Sequence, residues 1–251
     1  MITIKSKDEI ELMRQAGMMV SKMHKYLKPY IKEGISTAEL DKLAEDYIIK
    51  MGGVPSCKGY EGFPAALCTS VNDTVVHGIP SRHEKLKKGD IITIDTVIGY
   101  KGYQGDAAWT YAVGEISDEK KYLMEHTEKA LYEGIKEVKP GARIGDISHA
   151  VEMYAKKHKL GVVKELGGHG IGTDMHEDPF VPNYGPKGKG PILKEGMVIC
   201  IEPMLNLGSA KIYILDDDWT IKTWDGKPAA HYEHTVLVTK DGYEILTPRL
   251  D

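Results

Sequence analysis

Apolar residues recur at helical spacing through Ile10, Met13, Gly17, Val20, Met23 and Leu27, and the run stops at Pro29. Ser6 and Glu9 precede it at capping-box spacing, so the pattern predicts an amphipathic helix with a methionine-rich core stripe. A second helix opens at Ser36 and Thr37, turns Leu40, Leu43, Tyr47 and Ile48 inward, and closes at Gly52 and Gly53. The period then changes. Residues 54–80 form a loop rich in glycine, proline and aromatics that leads into short β-prone runs ending at His77. Residues 91–109 read as the core of a β-hairpin, with turn chemistry at 99–102 and a return arm from Tyr103 to Val113. Helical spacing resumes after a Ser117 cap, through Leu123, Ala130, Leu131, Ile135 and Val138 to Pro140 and Gly141. It resumes once more through Ile144, Ile147, Val151 and Tyr154, stopping near Gly161. A glycine-rich segment at 161–185 follows, then a strand-like 197–205, an excursion through Asp216 to Trp219, and closing strands at 231–238 and 243–246.

The two halves, about 1–115 and 116–251, repeat one order: helix, turn, helix, glycine-rich loop with histidine, acidic strand, second acidic strand. Leu86-Lys-Lys-Gly89 and Leu193-Lys-Glu-Gly196 lie 107 positions apart (193 − 86), and the same 107 separates Asp95 from Glu202. His77-Gly-Ile-Pro80 resembles His176-Glu-Asp-Pro179, and Asp106 corresponds to Glu233 as the acid of the return strand. A duplicated unit with one acid per strand would bring four carboxylates to a shared axis. Two copies are too few for a stacked solenoid. One catalytic domain over 1–251 is the expected organisation.

The net charge of −4 offers no basic field for nucleic acid. Cys57, Cys68 and Cys200 form no CxxC pair and no disulfide framework, which points to a reducing compartment. The N-terminal stretch lacks an apolar core of signal-peptide length, and no apolar run reaches the ~18 residues of a membrane span. The expectation is a cytoplasmic protein without membrane partners.

An aspartate beside a glycine ordinarily marks a turn. Two buried aspartates on facing arms of one hairpin are costly unless a cation pairs with them. Asp95, Asp106, His169, Glu202 and Glu233 together supply four carboxylates and one imidazole, enough for two divalent ions if two carboxylates bridge. Oxygen ligands with one nitrogen suit Mn, Fe, Co or Zn, and hydrolysis is the economical chemistry. His77 and His176, in matching loops of the repeat, are left as imidazoles free to act on a substrate. Cys57, Tyr60, Phe63 and Cys68 either line a pocket or anchor their loop in the core. His24, His83, His126, His149 and His158 are expected to be structural.

The segments VNDTVVHGIP, IDTVIGYKGYQGD, GHGIGTDMHEDP, IEPM and YEHTVLV resemble, in order and spacing, the signatures of the type I methionine aminopeptidases. That resemblance covers essentially the whole chain. It implies an α+β pita-bread fold, two pseudo-symmetric helix-helix-strand halves around a curved antiparallel sheet. It also implies hydrolysis of N-terminal methionine from peptides and nascent chains whose second residue is small. The expected protein is a monomer associated with the ribosome. By the same resemblance Asp95 chelates one ion, Asp106 and Glu233 bridge, and His169 and Glu202 complete the other. His77, His176 and Glu202 take the catalytic roles, while Cys57, Tyr60, Phe63, Cys68 and Trp219 join His77 and His176 around the substrate. Three positions depart from the family: Thr96 precedes Val97 where Val then Thr is common, Met175 stands at a frequent aromatic, and Asp218 replaces a turn glycine. The competing readings are a prolidase or Xaa-Pro aminopeptidase of the same fold, and a non-catalytic binding module. The first usually carries an extra N-terminal domain, and the second would be expected to have lost ligands.

Overall fold

The computed structural model describes residues 1–250. Four long helices form where the periodicity predicts: α1 (Lys7–Leu27), α2 (Thr37–Lys50), α3 (Asp118–Lys136) and α4 (Ile144–Lys157). Both capping boxes close. The Ser6 and Ser36 hydroxyls accept from the Glu9 and Glu39 amides, and the two glutamates accept in return from the serine amides. Helix α4 ends at Lys157, ahead of the stop expected near Gly161. Lys159 enters the left-handed region at φ 56°, and the Leu160 amide donates back to the Ala155 carbonyl, which caps the last turn.

The first hairpin pairs Ile91–Tyr100 with Tyr103–Ala112 along their full length. Its turn is tighter than the four-residue one expected: Lys101 and Gly102 both take positive φ, the two-residue geometry that matches strand twist. Asp95 lies opposite Ala108 and Val97 opposite Asp106, so both carboxylates leave the same face of the hairpin on a diagonal. Ile92, Ile94 and Ile98 leave the other face and join one core with Val20, Met23, Leu27 and Leu40. Ile199 and Ile201, with Leu131, Ile135, Ile147 and Val151, extend that core beneath α3 and α4.

The expected curved sheet is divided into hydrogen-bonded ladders. The hairpin, with Val54–Pro55 and Cys68–Val71, makes a four-stranded sheet. A five-stranded sheet runs in the order Tyr243–Ile245, His234–Val238, Val198–Ile201, Gly167–Gly170, Glu177–Pro182. Two smaller sheets complete the set, and one of them pairs Thr74–Val76 with Ile221–Thr223 from the other end of the chain. Thr235 ties the two large sheets together: its Oγ1 accepts from the Asp106 amide at 3.0 Å and donates to the Asp106 carbonyl at 2.8 Å. The Glu233 amide adds a bond to the Ala108 carbonyl at 2.8 Å.

The 107-residue offset is visible in the backbone. Gly89 and Gly196 take φ 94° and 85° in matching turns, and the strands that follow begin at Ile91 and Val198. The acids differ in one respect from the expectation of one per strand. Asp95 and Asp106 lie within strands, whereas Glu202 immediately follows Ile201 and Glu233 immediately precedes its partner His234. Both glutamates therefore sit just past the end of their ladder, where the longer side chain reaches the axis.

Candidate active site

His169 is placed by its neighbours. A side chain on Gly168 would come within 2.0 Å of the Cys200 carbonyl, and one on Gly170 within 2.1 Å of the Asp178 carbonyl. Glycine alone lets this strand lie so close to both flanking segments. The ring Nδ1 donates to the Gly170 carbonyl at 2.9 Å, which puts the proton there and leaves the Nε2 lone pair free. Nε2 stands 3.7 Å from Asp106 Oδ2 and 3.5 Å from Glu202 Oε1.

All the candidate site residues from the sequence line one cavity of roughly 860 Å³. Asp95, Asp106, His169, Glu202 and Glu233 form its floor, with Cys57, Tyr60, Phe63, Cys68, His77, His176 and Trp219 around them. Cys57, Phe63, Cys68, Val97 and Met175 are buried together, with Tyr60 and Trp219 packed on them, so this loop both anchors itself and makes a pocket wall. The Trp219 ring meets Phe63 edge-on at 5.1 Å and His77 at 6.0 Å. Tyr60 Oη lies 2.7 Å from His176 Nδ1.

The departures have local explanations. Thr96 belongs to the helix-facing side of its strand and donates to the Ala66 carbonyl at 2.9 Å, so its hydroxyl is directed away from the acids. Val97 takes the cavity side. Met175 serves as an apolar wall, and Asp218 adopts φ 64°, keeping the turn that glycine would make.

Burial and mutual repulsion dominate the electrostatics. Desolvation raises the carboxyls of Asp106, Glu202 and Glu233 well above their usual range, and the neighbouring acids push in the same direction. Asp95 is raised by burial also, with His231 acting against it. Burial lowers His77 and His169 to about 4, and it lowers His176. All three imidazoles are neutral near pH 7. Asp106 Oδ1 and Glu233 Oε1 have no hydrogen-bond partner among the described residues. Converging buried acids with free oxygens, beside a lone-pair nitrogen, fit divalent cations and little else.

Two residues close to this cluster escape a reading of the sequence. Cys200, opposite Thr235 in the ladder, lies within reach of Asp106, His169 and Glu233. Burial, together with the carboxylates around it, keeps its thiol protonated, so it packs as a neutral group. His231 groups with Glu202 and Glu233. The only signal for it in the sequence was its position two residues before Glu233 on a strand.

Paired αβ units that converge four carboxylates and a histidine on one cavity define a metallohydrolase. The chain belongs to metallopeptidase family M24, whose model matches residues 11–240. It is 53% identical to methionine aminopeptidase 1 of Bacillus subtilis, over 98% of this chain and 99% of that one. It is 50% identical to a methionine aminopeptidase of Clostridium acetobutylicum over the same shares. The crystal structure of methionine aminopeptidase from Rickettsia prowazekii superposes with a TM-score of 0.97 at 39% identity, covering 99% of this chain and 100% of that one. The prolidase from Pyrococcus furiosus gives 0.79 at 26% identity, and the match spans 66% of that longer chain. No helix among the described residues is long and apolar enough to cross a membrane.

Proposed function

We propose that this protein is a methionyl aminopeptidase that removes the N-terminal methionine of peptides and nascent chains when the next residue is small. The observation that carries the reading is a single cavity in which an apolar, sulfur- and aromatic-lined wall abuts a floor of buried acids. A thioether packs favourably against aromatic edges, so Phe63 and Trp219 suit a methionine side chain. Full-length identity of 53% with a methionine aminopeptidase, against 26% with a prolidase, supports this choice of substrate.

Asp95, Asp106, His169, Glu202 and Glu233 have the donor set for two divalent ions drawn from Co, Mn, Fe or Zn. When bound, such ions supply polarisation of the scissile carbonyl and a water that is nucleophilic near neutral pH. The chain's own groups do the remainder. His176 and His77 are neutral donors at the cavity wall, placed to hold the substrate carbonyl and the leaving amide nitrogen. Glu202 accepts a proton from the attacking water and returns it to the leaving amine. The apolar wall excludes bulk water from that exchange.

Turnover of Met-Ala-Ser and of Xaa-Pro peptides by protein reconstituted with single metals tests this reading. Cleavage of Met-Ala-Ser is expected, and preferential cleavage of Xaa-Pro peptides would overturn it.

A further inference from the structure

His231 is the one histidine of the central cavity that neither the carbonyl-polarising role nor the expected ligand set employs. It is 1% exposed, and neither ring nitrogen has a hydrogen-bond partner among the described residues. That is unusual for a core histidine, because an unpaired buried polar group costs roughly 1–3 kcal/mol. The other fully enclosed histidines of the fold are satisfied. His24 has Tyr111 Oη at 3.0 Å and the Ala107 carbonyl at 3.3 Å, and His234 has Thr247 Oγ1 at 3.0 Å and Tyr132 Oη at 3.2 Å.

The ring is also held in place. Its backbone amide and carbonyl both bond Thr110 Oγ1, at 3.1 and 2.9 Å, and its strand pairs His231 with Met204. From there Nε2 reaches 3.6 Å from Glu202 Oε2 and 3.9 Å from Glu233 Oε2. Those separations are too long for hydrogen bonds. They match the 3.5 and 3.7 Å by which His169 Nε2 stands off Glu202 and Asp106. Atoms that each lie about 2.0–2.2 Å from one cation are spaced in this way.

We propose that His231 is a second nitrogen ligand of the divalent centre, binding through Nε2 beside Glu202 and Glu233. This rests on the reading of the acid cluster as a metal site and extends its donor set. The ligands would then be four carboxylates and two imidazoles, one on either side of Glu202.

The test is proton NMR of the full chain loaded with two equivalents of Co(II), where each coordinated imidazole gives one hyperfine-shifted N–H signal, together with calorimetric Co(II) titration. Two such signals are expected in the wild type, one in His231→Gln and one in His169→Ala. His231→Gln should bind one of its ions about 10- to 100-fold more weakly. A single wild-type signal, or two signals that both survive in His231→Gln, would overturn the proposal without touching the metal site itself. A wild-type protein that takes up no Co(II) would overturn both. The wild-type count stands even if a variant fails to fold.

Discussion

Lys5 Nζ lies 2.8 Å from Glu177 Oε2, with 6% and 11% of the two side chains exposed, and Glu177 is the residue after His176. The ion pair ties the segment ahead of α1 to the loop that carries His176, the imidazole proposed to act on the substrate. Thr3 adds a bond from its hydroxyl to the same carboxylate oxygen at 2.7 Å.

Removing one partner of a buried pair strands the other charge, which costs roughly 3–5 kcal/mol. Lys5→Met is therefore expected to lower the free energy of unfolding in urea at pH 7 by about that amount, with Lys5→Arg recovering part of it. Burial acts to raise the Glu177 carboxyl, but the bonds from Lys5 and Thr3 prevail and hold it below its usual value. A depressed carboxylate stabilises the fold above its unfolded pKa and loses that contribution as pH falls through the folded one. The gap between Lys5→Met and the wild type should accordingly close in acid, where parallel denaturation curves would converge.

Asp106 and Glu233 each leave an oxygen unpaired in the buried cluster. Asp106→Asn and Glu233→Gln should each abolish turnover while the far-ultraviolet circular dichroism stays unchanged, because the core under the helices is built independently of the acids. Chelation should lower the melting temperature of the metal-loaded wild type by roughly 5–10 °C if the ion was present at about a hundredfold over its Kd. Either variant should show a much smaller chelator effect in the same scan.

His176 meets Tyr60 Oη through Nδ1. Burial keeps the Tyr60 phenol protonated, and in the tautomer with the imidazole proton on Nε2 its hydroxyl donates to Nδ1. A neutral ring in that tautomer can donate to a substrate carbonyl. His176→Ala should lower kcat by ~10²- to 10⁴-fold with metal content unchanged, as measured by steady-state kinetics beside elemental analysis. His169→Ala should instead bind one of its ions more weakly. Tyr60→Phe, which frees the tautomer, should cost less than His176→Ala and affect kcat more than KM.

Thr235 secures the alignment of the two sheets through both backbone groups of Asp106. Thr235→Val keeps the shape and leaves an amide and a carbonyl unpaired in the interior. A loss of roughly 2–5 kcal/mol is expected in chemical denaturation. Weaker Co(II) binding by calorimetry should accompany it, since the strand carrying Asp106 is then held to the segment carrying Glu233 by fewer bonds, the Glu233 amide to the Ala108 carbonyl among those left.

The order of elements, the caps, the hairpin and the 107-residue repeat are local or periodic properties, so they are legible along the chain. The five proposed ligands and the proposed pocket residues were legible as candidates in the same way. Their side chains announce their chemistry, since carboxylates in β-prone runs and aromatics in a glycine-rich loop conflict with ordinary burial. Where α4 ends was settled by a left-handed turn at Lys159 that apolar spacing does not encode. The remaining features arise from how distant segments pack. His231 and Cys200 sit in strand segments where an isolated His or Cys has no distinguishing pattern, and their significance comes from which acids the sheets bring beside them. Lys5 and Glu177 are 172 residues apart. Pairing at that separation depends on chain packing, and no window of neighbouring residues contains it.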